Sequence, residues 1–158
     1  MLEAIVQDED SFVSATVLGE IDVGRPLHRE LDAVRRATWL TPVRIEGLAE
    51  LTVFAEYVRI LGSGPRNIGE AETLAWAETH DAVAVIDERA GARAGQQRGV
   101  AVHGTLWLIA RAIRAAALER HEVVELIDAL ADAEAWFPSE ARGEGFFRWA
   151  AEHGLLEE

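Results

Sequence analysis

The sequence predicts an α/β protein in which helices alternate with a short, mainly parallel sheet. Three observations support this fold class. Residues 69–107 follow the order helix, strand, helix, strand. The strand at 82–86 (AVAVI) contains no polar residue, which is typical of a parallel strand covered by helices on both faces. Strand–helix alternation of this kind favours a three-layer arrangement with right-handed crossovers.

The first half of the chain is predicted to contain short elements separated by helix breakers. Residues 2–6 have the pattern of the end of a helix, and residues 12–17 alternate as a strand. Glu20 follows that strand on a helical turn, which Gly24 and Pro26 interrupt. The next predicted elements are a helix at 27–37, a strand at 43–45, a helix at 47–61 and a loop at 62–65 (GSGP).

Helix caps mark the elements of the second half. Asn67 is a suitable N-cap for a helix at 68–80, and Glu70 then completes a turn that resembles a capping box. Asp87 ends the strand at 82–86 and is suited to cap the helix that follows. The remaining predicted elements are a helix at 88–97 ended by Gly99, a strand at 100–103, and a helical C-terminal part at 105–118, 121–135 and 140–154.

The composition is that of one ordinary globular domain spanning residues 1–158. With 49% hydrophobic and 27% charged residues, the chain is not of the disordered type. No apolar run reaches the ~18 residues that a membrane span needs, and the first residues lack the basic start and apolar core of a signal peptide. There is no cysteine. We therefore predict a cytoplasmic protein without membrane contact, disulfides or thiolate chemistry.

Charge is distributed unevenly along the chain. The net charge of −13 argues against unassisted binding to a polyanion. Residues 89–118, however, contain five arginines and no acid, whereas residues 119–158 contain eleven acids and three arginines. The basic segment either attracts nucleic acid or consists of arginines on solvated helix faces, and both interpretations remain open.

Several acids are predicted to lie near one edge of the sheet. Ligands of open α/β sheets bind outside the carboxyl ends of the strands, and Asp87 ends a strand there. Glu70 opens the preceding helix, and Glu20 follows the first predicted strand. Carboxylates gathered at such an edge typically hold a divalent metal for phosphate chemistry. Each acid also has a structural interpretation, since Asp87 and Glu70 are good helix caps and Glu20 suits a surface position.

Two further residues belong to this prediction. Thr105 follows the last predicted strand, where its hydroxyl can cap the next helix or hold a metal-bound water or a phosphate. Glu72 lies two residues after Glu70, so it is expected on the opposite face of the helix, in solvent.

From residue 69 to 112, GEAETLAWAETHDAVAVIDERAGARAGQQRGVAVHGTLWLIARA resembles the C-terminal half of PIN domains. It is most similar to a VapC-related group of prokaryotic proteins. These proteins carry a Gly-Glu-Ala-Glu helix, an Ile-Asp-Asp/Glu-Arg strand end and a Gly-Thr-Leu strand end. A looser resemblance extends back through residues 12–21 (FVSATVLGEI) and forward through residues 137–156 (FPSEARGEGFFRWAAEHGLL).

The resemblance implies a PIN-like α/β/α fold and a ribonuclease that uses Mg²⁺ or Mn²⁺ to hydrolyse RNA phosphodiester bonds. Carried over by motif, Glu20, Glu70 and Asp87 would be the metal-binding and catalytic acids. Glu88 would be an alternative metal ligand, and Thr105 would supply a hydroxyl close to the site. The resemblance also implies a homodimer and, for a toxin of a toxin–antitoxin pair, an antitoxin protein as partner.

One expected ligand has no counterpart in the sequence. PIN domains open with a strand ending in Asp-Thr or Asp-Ser, and the acids at 8–10 lie too late to replace that Asp. We therefore expect a PIN-like domain that is N-terminally incomplete relative to the family. If the missing strand precedes this sequence, we expect an active nuclease. If it does not, we expect a catalytically degenerate module that binds nucleic acid or protein. A third interpretation is an α/β protein whose acids are only caps.

Overall fold

The computed structural model describes residues 10–133 and 137–157, which form two compact units. The first unit ends at Gly104 and the second begins at Thr105. The helix end predicted at 2–6 lies outside the described residues. Within the described ranges, no helix is both long enough and apolar enough to cross a membrane. The single domain predicted from the sequence stays a prediction.

The first unit contains two pairs of parallel strands with helices between them. Strand β1 (Ser11–Ser14) is followed by helix α1 (Ala15–Gly24), a 3-10 turn (Arg29–Leu31) and helix α2 (Asp32–Arg36). Strand β2 (Leu40–Val43) then pairs with β1 in parallel. The later elements are α3 (Leu48–Leu61), α4 (Pro65–His80), β3 (Ala84–Val85), α5 (Arg89–Gln97) and β4 (Val102–His103). The predicted α/β class with parallel strands is confirmed.

The strand predicted to be buried on both faces is covered on one face only. β3 pairs in parallel with β4, and Ala84 and Ile86 are buried. Val83 and Val85, between them in sequence, are 52% and 42% exposed. The apolar run therefore alternates between core and surface, as side chains of a strand must, although its composition contains no polar residue to show it.

The second unit is helical, as the sequence predicts for the C-terminal part. It comprises α6 (Thr105–Arg114), α7 (Arg120–Asp132), a 3-10 turn (Ser139–Ala141) and α8 (Gly145–Glu152). Its core contains Ile109, Val123, Ile127 and Phe146, all at most 2% exposed. The helix predicted at 140–154 is thus divided into a 3-10 turn and a shorter α-helix.

A polar network joins α3, α4 and the residue that follows α5. The hydroxyl of the fully buried Tyr57 donates to Glu78 Oε2 at 2.7 Å. Arg98 donates to both carboxylate oxygens of Glu78, at 2.8 and 2.7 Å, and pairs with Glu56 at 2.5 Å. Hydrogen bonds from Arg98 hold the pKa of Glu78 below its ordinary value. Burial is the main cause that raises the pKa of Tyr57.

We expect Arg98→Met to lower the free energy of unfolding by about 1.5 kcal/mol, because Glu78 loses two charge-assisted hydrogen bonds. Since the pKa of Glu78 is lowered in the folded protein, this stabilisation is present above the ordinary carboxylate pKa. It is lost as the pH falls through the folded-state value. Urea unfolding at neutral pH and in acid measures both effects.

The matched control is Arg59→Met, which removes an exposed arginine of α3. The role given to this network would be contradicted if Arg59→Met lowered the free energy of unfolding by a similar amount. It would also be contradicted if Arg98→Met lowered the free energy of unfolding as much in acid as at neutral pH.

Candidate functional site

Helices α1 and α4 approach each other closely at Gly69. A Cβ atom at this position would lie 3.1 Å from Glu20 Oε1 and 3.1 Å from Val17 Cγ2. A side chain there would force the side chains of Glu20 and Val17 to shift, so glycine allows this close contact. The Glu20 carboxylate consequently lies against the backbone of α4, one residue before Glu70.

Glu70 places a half-buried carboxylate between α4 and α5. A Cβ atom at Gly91 would lie 2.7 Å from Glu70 Oε2, so the lack of a side chain there leaves room for the carboxylate. Burial is the main cause that raises the pKa of Glu70, and the charges of Glu88 and Glu20 raise it further. Glu20 and Glu88 therefore both interact with Glu70, and this repulsion is unfavourable when all three acids are ionised.

The beginning of α4 removes the capping interpretation of Glu70. The helix begins at Pro65, three residues earlier than predicted, which suits proline because its missing N–H needs no partner at this position. Asn67 is therefore not the N-cap, and its side-chain amide donates to the Leu61 carbonyl oxygen at 2.5 Å. Glu70 lies in the second turn, too far along the helix to complete a capping box.

At the end of β3, Glu88 caps the next helix and Asp87 does not. Helix α5 begins at Arg89, and the backbone N–H of Ala90 donates to Glu88 Oε1 at 3.4 Å. The exposed Asp87 instead directs its carboxylate towards Gly104, where a Cβ atom would lie 2.6 Å from Asp87 Oδ1. The capping role predicted for Asp87 is wrong, because the helix starts one residue later than the sequence suggested.

Glu72 is a residue whose position the sequence did not indicate. It is 7% exposed, so the expectation that it lies in solvent is wrong. Its Oε2 accepts a hydrogen bond from the backbone N–H of Thr16 at 2.8 Å. Thr16 lies in the first turn of α1, where N–H groups have no partner within the helix and carry partial positive charge. Glu72 therefore ties the start of α1 to α4. No local pattern reveals this, since the two residues are 56 apart in sequence.

The predicted site residues are thus only partly brought together. Glu20 and Glu88 act electrostatically on Glu70, while Asp87 lies at the end of β3 and Thr105 begins α6 in the second unit. Among the residues that the structure describes, no group of three or more His, Cys, Asp or Glu side chains is arranged to hold a metal ion. The catalytic and metal-binding roles assigned to these five residues stay predictions.

The donor chemistry around Glu70 nevertheless fits a hard divalent cation. Carboxylate oxygens are the ligands that Mg²⁺ and Mn²⁺ prefer. Burial raises the pKa of Glu70 most, and the charges of Glu88 and Glu20 raise it further; a bound cation would relieve this repulsion.

Parallel strands, together with acids from α1, α4 and the segment after β3, define an α/β protein with a carboxylate-rich candidate site. The chain matches the family model DUF3368: PIN domain over residues 2–146, and it belongs to this family of PIN domains. The predicted PIN-like character is confirmed, and a PIN domain is a nuclease-type fold whose members generally use divalent metals. The link to VapC toxins stays a prediction. No curated protein and no solved structure matches the chain.

We expect Glu70→Gln to raise the free energy of unfolding at neutral pH in the presence of EDTA. The pKa of Glu70 is raised in the folded protein, so its ionisation opposes folding. Wild-type stability should therefore fall as the pH rises through the folded-state pKa of Glu70, and the variant should show less of this fall. Urea unfolding as a function of pH measures the difference. A variant that is less stable than the wild type at neutral pH would contradict this account of the site.

We expect Glu72→Ala to lower the free energy of unfolding by about 1–2 kcal/mol, because the Thr16 N–H loses its side-chain acceptor. Glu72→Gln keeps an acceptor oxygen and should recover part of the loss. Urea unfolding measures stability, and hydrogen exchange at the Thr16 amide reports the start of α1 directly. Glu125→Ala, at an exposed position of α7, is the control. Unchanged exchange at Thr16 in Glu72→Ala would exclude the capping role.

Proposed function

We propose that this protein is a ribonuclease that hydrolyses RNA phosphodiester bonds with the aid of bound Mg²⁺ or Mn²⁺. The observation that carries the proposal is the half-buried Glu70, in a chain of the PIN family. Burial raises the pKa of Glu70, and the charges of Glu88 and Glu20 raise it further. Acids placed where they repel each other destabilise the fold, and such arrangements are typical of functional sites.

Glu20, Glu70 and Glu88 would hold the metal, together with Asp87 from the end of β3. A bound divalent cation lowers the pKa of water and stabilises negative charge on a phosphate. The protein's contribution is to fix the acids that surround Glu70. Glu72 anchors the start of α1, the helix that carries Glu20.

The protein's own carboxylates would act on the attacking water. Glu70 would orient this water through its carboxylate, which has room beside Gly91 because Gly91 carries no side chain. Asp87 has room for its carboxylate because Gly104 carries no side chain. The role predicted for the Thr105 hydroxyl stays a prediction, since Thr105 belongs to the second unit.

The resemblance to VapC-related proteins supports a more specific role. The protein would act as the toxin of a toxin–antitoxin pair in the cytoplasm, as a homodimer inhibited by an antitoxin protein. A small open reading frame beside the gene would support this role, and co-purification of its product with this chain would test it.

A catalytically degenerate PIN module is the second candidate. Among the described residues there is no three-ligand group for a metal, and this observation favours it. Such a module would bind RNA or protein without cleaving RNA.

We expect the purified protein to cleave single-stranded RNA with Mn²⁺ and to lose this activity in EDTA. Asp87→Asn and Glu70→Gln should each lower the cleavage rate by about 100-fold or more, the range for groups that act on the attacking water. A gel assay with labelled RNA measures the rates. Asp81→Asn is the matched control, because Asp81 is exposed and asparagine tolerates its positive φ of 52°.

Cleavage that Asp87→Asn and Glu70→Gln both leave unchanged would mean that the activity does not come from this site. RNA binding without any Mn²⁺-dependent cleavage by the wild type would instead support the degenerate module.

A further inference from the structure

An open groove of about 460 Å³ lies in the first unit, between the end of α3 and the outer face of α5. Ile60 and Leu61 line it from α3, and Arg89, Arg93 and Gln97 line it from α5. The volume lies in the range of ligand-binding clefts.

The groove exists because α5 packs through its small residues. Its inner face contains Gly91, Ala94 and Gly95, all buried. A Cβ atom at Gly95 would lie 2.6 Å from both Leu74 Cδ2 and Val102 Cγ2, so the helix lies directly on its neighbours. Its long polar side chains are consequently confined to the opposite, outer face.

The outer face presents a row of hydrogen-bond donors. Arg89, Arg93 and Gln97 are exposed and spaced by four residues, so they follow one another along the helix at intervals of roughly 6 Å. Arginine binds phosphate through two parallel N–H donors, and glutamine adds an amide N–H. Such a row matches a chain of phosphates better than it matches a single small anion.

The positive charge of this row contrasts with the negative net charge of the protein. The net charge is −13, yet residues 89–118 contain no acid. The groove lining contains Arg89 and Arg93 against one acid, Glu88, so a polyanion would be repelled less here than by most of the molecule. Ile60, which is 45% exposed, offers an apolar surface for sugars or base edges on the facing wall.

One end of the groove reaches the candidate site. Glu88 lines the groove at the N-terminal end of α5, and it is one of the acids of the candidate site. A strand lying along the donor row would therefore reach Glu88 at the N-terminal end of α5.

We propose that the groove between α3 and α5 binds the sugar–phosphate backbone of single-stranded RNA and directs it to the carboxylates. The inference rests on the proposed function, since it names where the substrate of that same site binds. Arg93, midway along the row, contacts a phosphate, and the cavity beside Ala90 accommodates the strand.

Binding is measured by fluorescence anisotropy with a labelled single-stranded RNA of mixed sequence, in EDTA so that no metal-dependent cleavage occurs. Arg93→Gln is expected to weaken binding about 10-fold through the loss of a charge-assisted hydrogen bond. It should also reduce the slope of log K against log salt by about 0.7, the value for one phosphate contact on a single strand. Arg44→Gln is the matched control, because it makes the same charge change at an exposed arginine that does not line the groove.

Ala90→Trp is a second test that changes no charge. Ala90 is exposed and lines the groove, so an indole there should fill it and weaken RNA binding about 10-fold or more, while circular dichroism verifies that the variant is folded.

The groove is excluded as the RNA site if the wild type does not bind RNA at low salt. It is also excluded if Arg93→Gln and Ala90→Trp bind RNA as the wild type does, or if Arg44→Gln weakens binding as much as Arg93→Gln.

The Mn²⁺ cleavage assay separates this result from the proposed function. Weakened RNA binding by both groove variants, with no cleavage by the wild type, supports the groove and contradicts the nuclease. Cleavage that requires Asp87, with unaltered binding by both variants, supports the nuclease and contradicts the groove.

Discussion

The candidate site depends on one constraint: α4 packs closely against its neighbours at two glycines, Gly69 and Gly91. At Gly69 and Gly91, even a methyl group would meet a carboxylate oxygen, of Glu20 in one case and of Glu70 in the other. Glycine is normally unfavourable inside a helix. Here it leaves room for the carboxylates of Glu20 and Glu70 in their present positions, where acids from different segments act on one another.

Three glutamates of α4 have carboxylates in very different environments. Glu78 is paired with Arg98, its pKa is lowered, and it stabilises the fold. Glu72 is buried and neutralises the start of a neighbouring helix. Glu70 is placed beside other acids, and its pKa is raised. The first two interactions hold α3, α1 and α4 together, so the fold can tolerate the third, which is unfavourable. This combination of rigid support and local repulsion is typical of functional sites.

Much of the first unit could be predicted because its signals are local. Parallel strands separated by helices follow from the alternation of patterns, and the end of α4 at His80 matches the predicted boundary. The beginning of α4 did not match, because Pro65 can start a helix and the sequence offered Asn67 as an equally good cap. The exposure of Val83 and Val85 also escaped prediction, since a purely apolar run does not show which face is covered.

By itself, the sequence determined the α/β class and the likeness to PIN domains, because these depend on residue order alone. The tertiary structure decided what each acid does. Glu72 accepts a hydrogen bond from the backbone N–H of Thr16, 56 residues away in sequence, and Glu88 takes the capping role predicted for Asp87. The pKa of Glu70 rises because packing buries its carboxylate and, in addition, brings acids from two other segments close to it. Burial and charge act through space, and spatial distances are set by packing and not by separation along the chain.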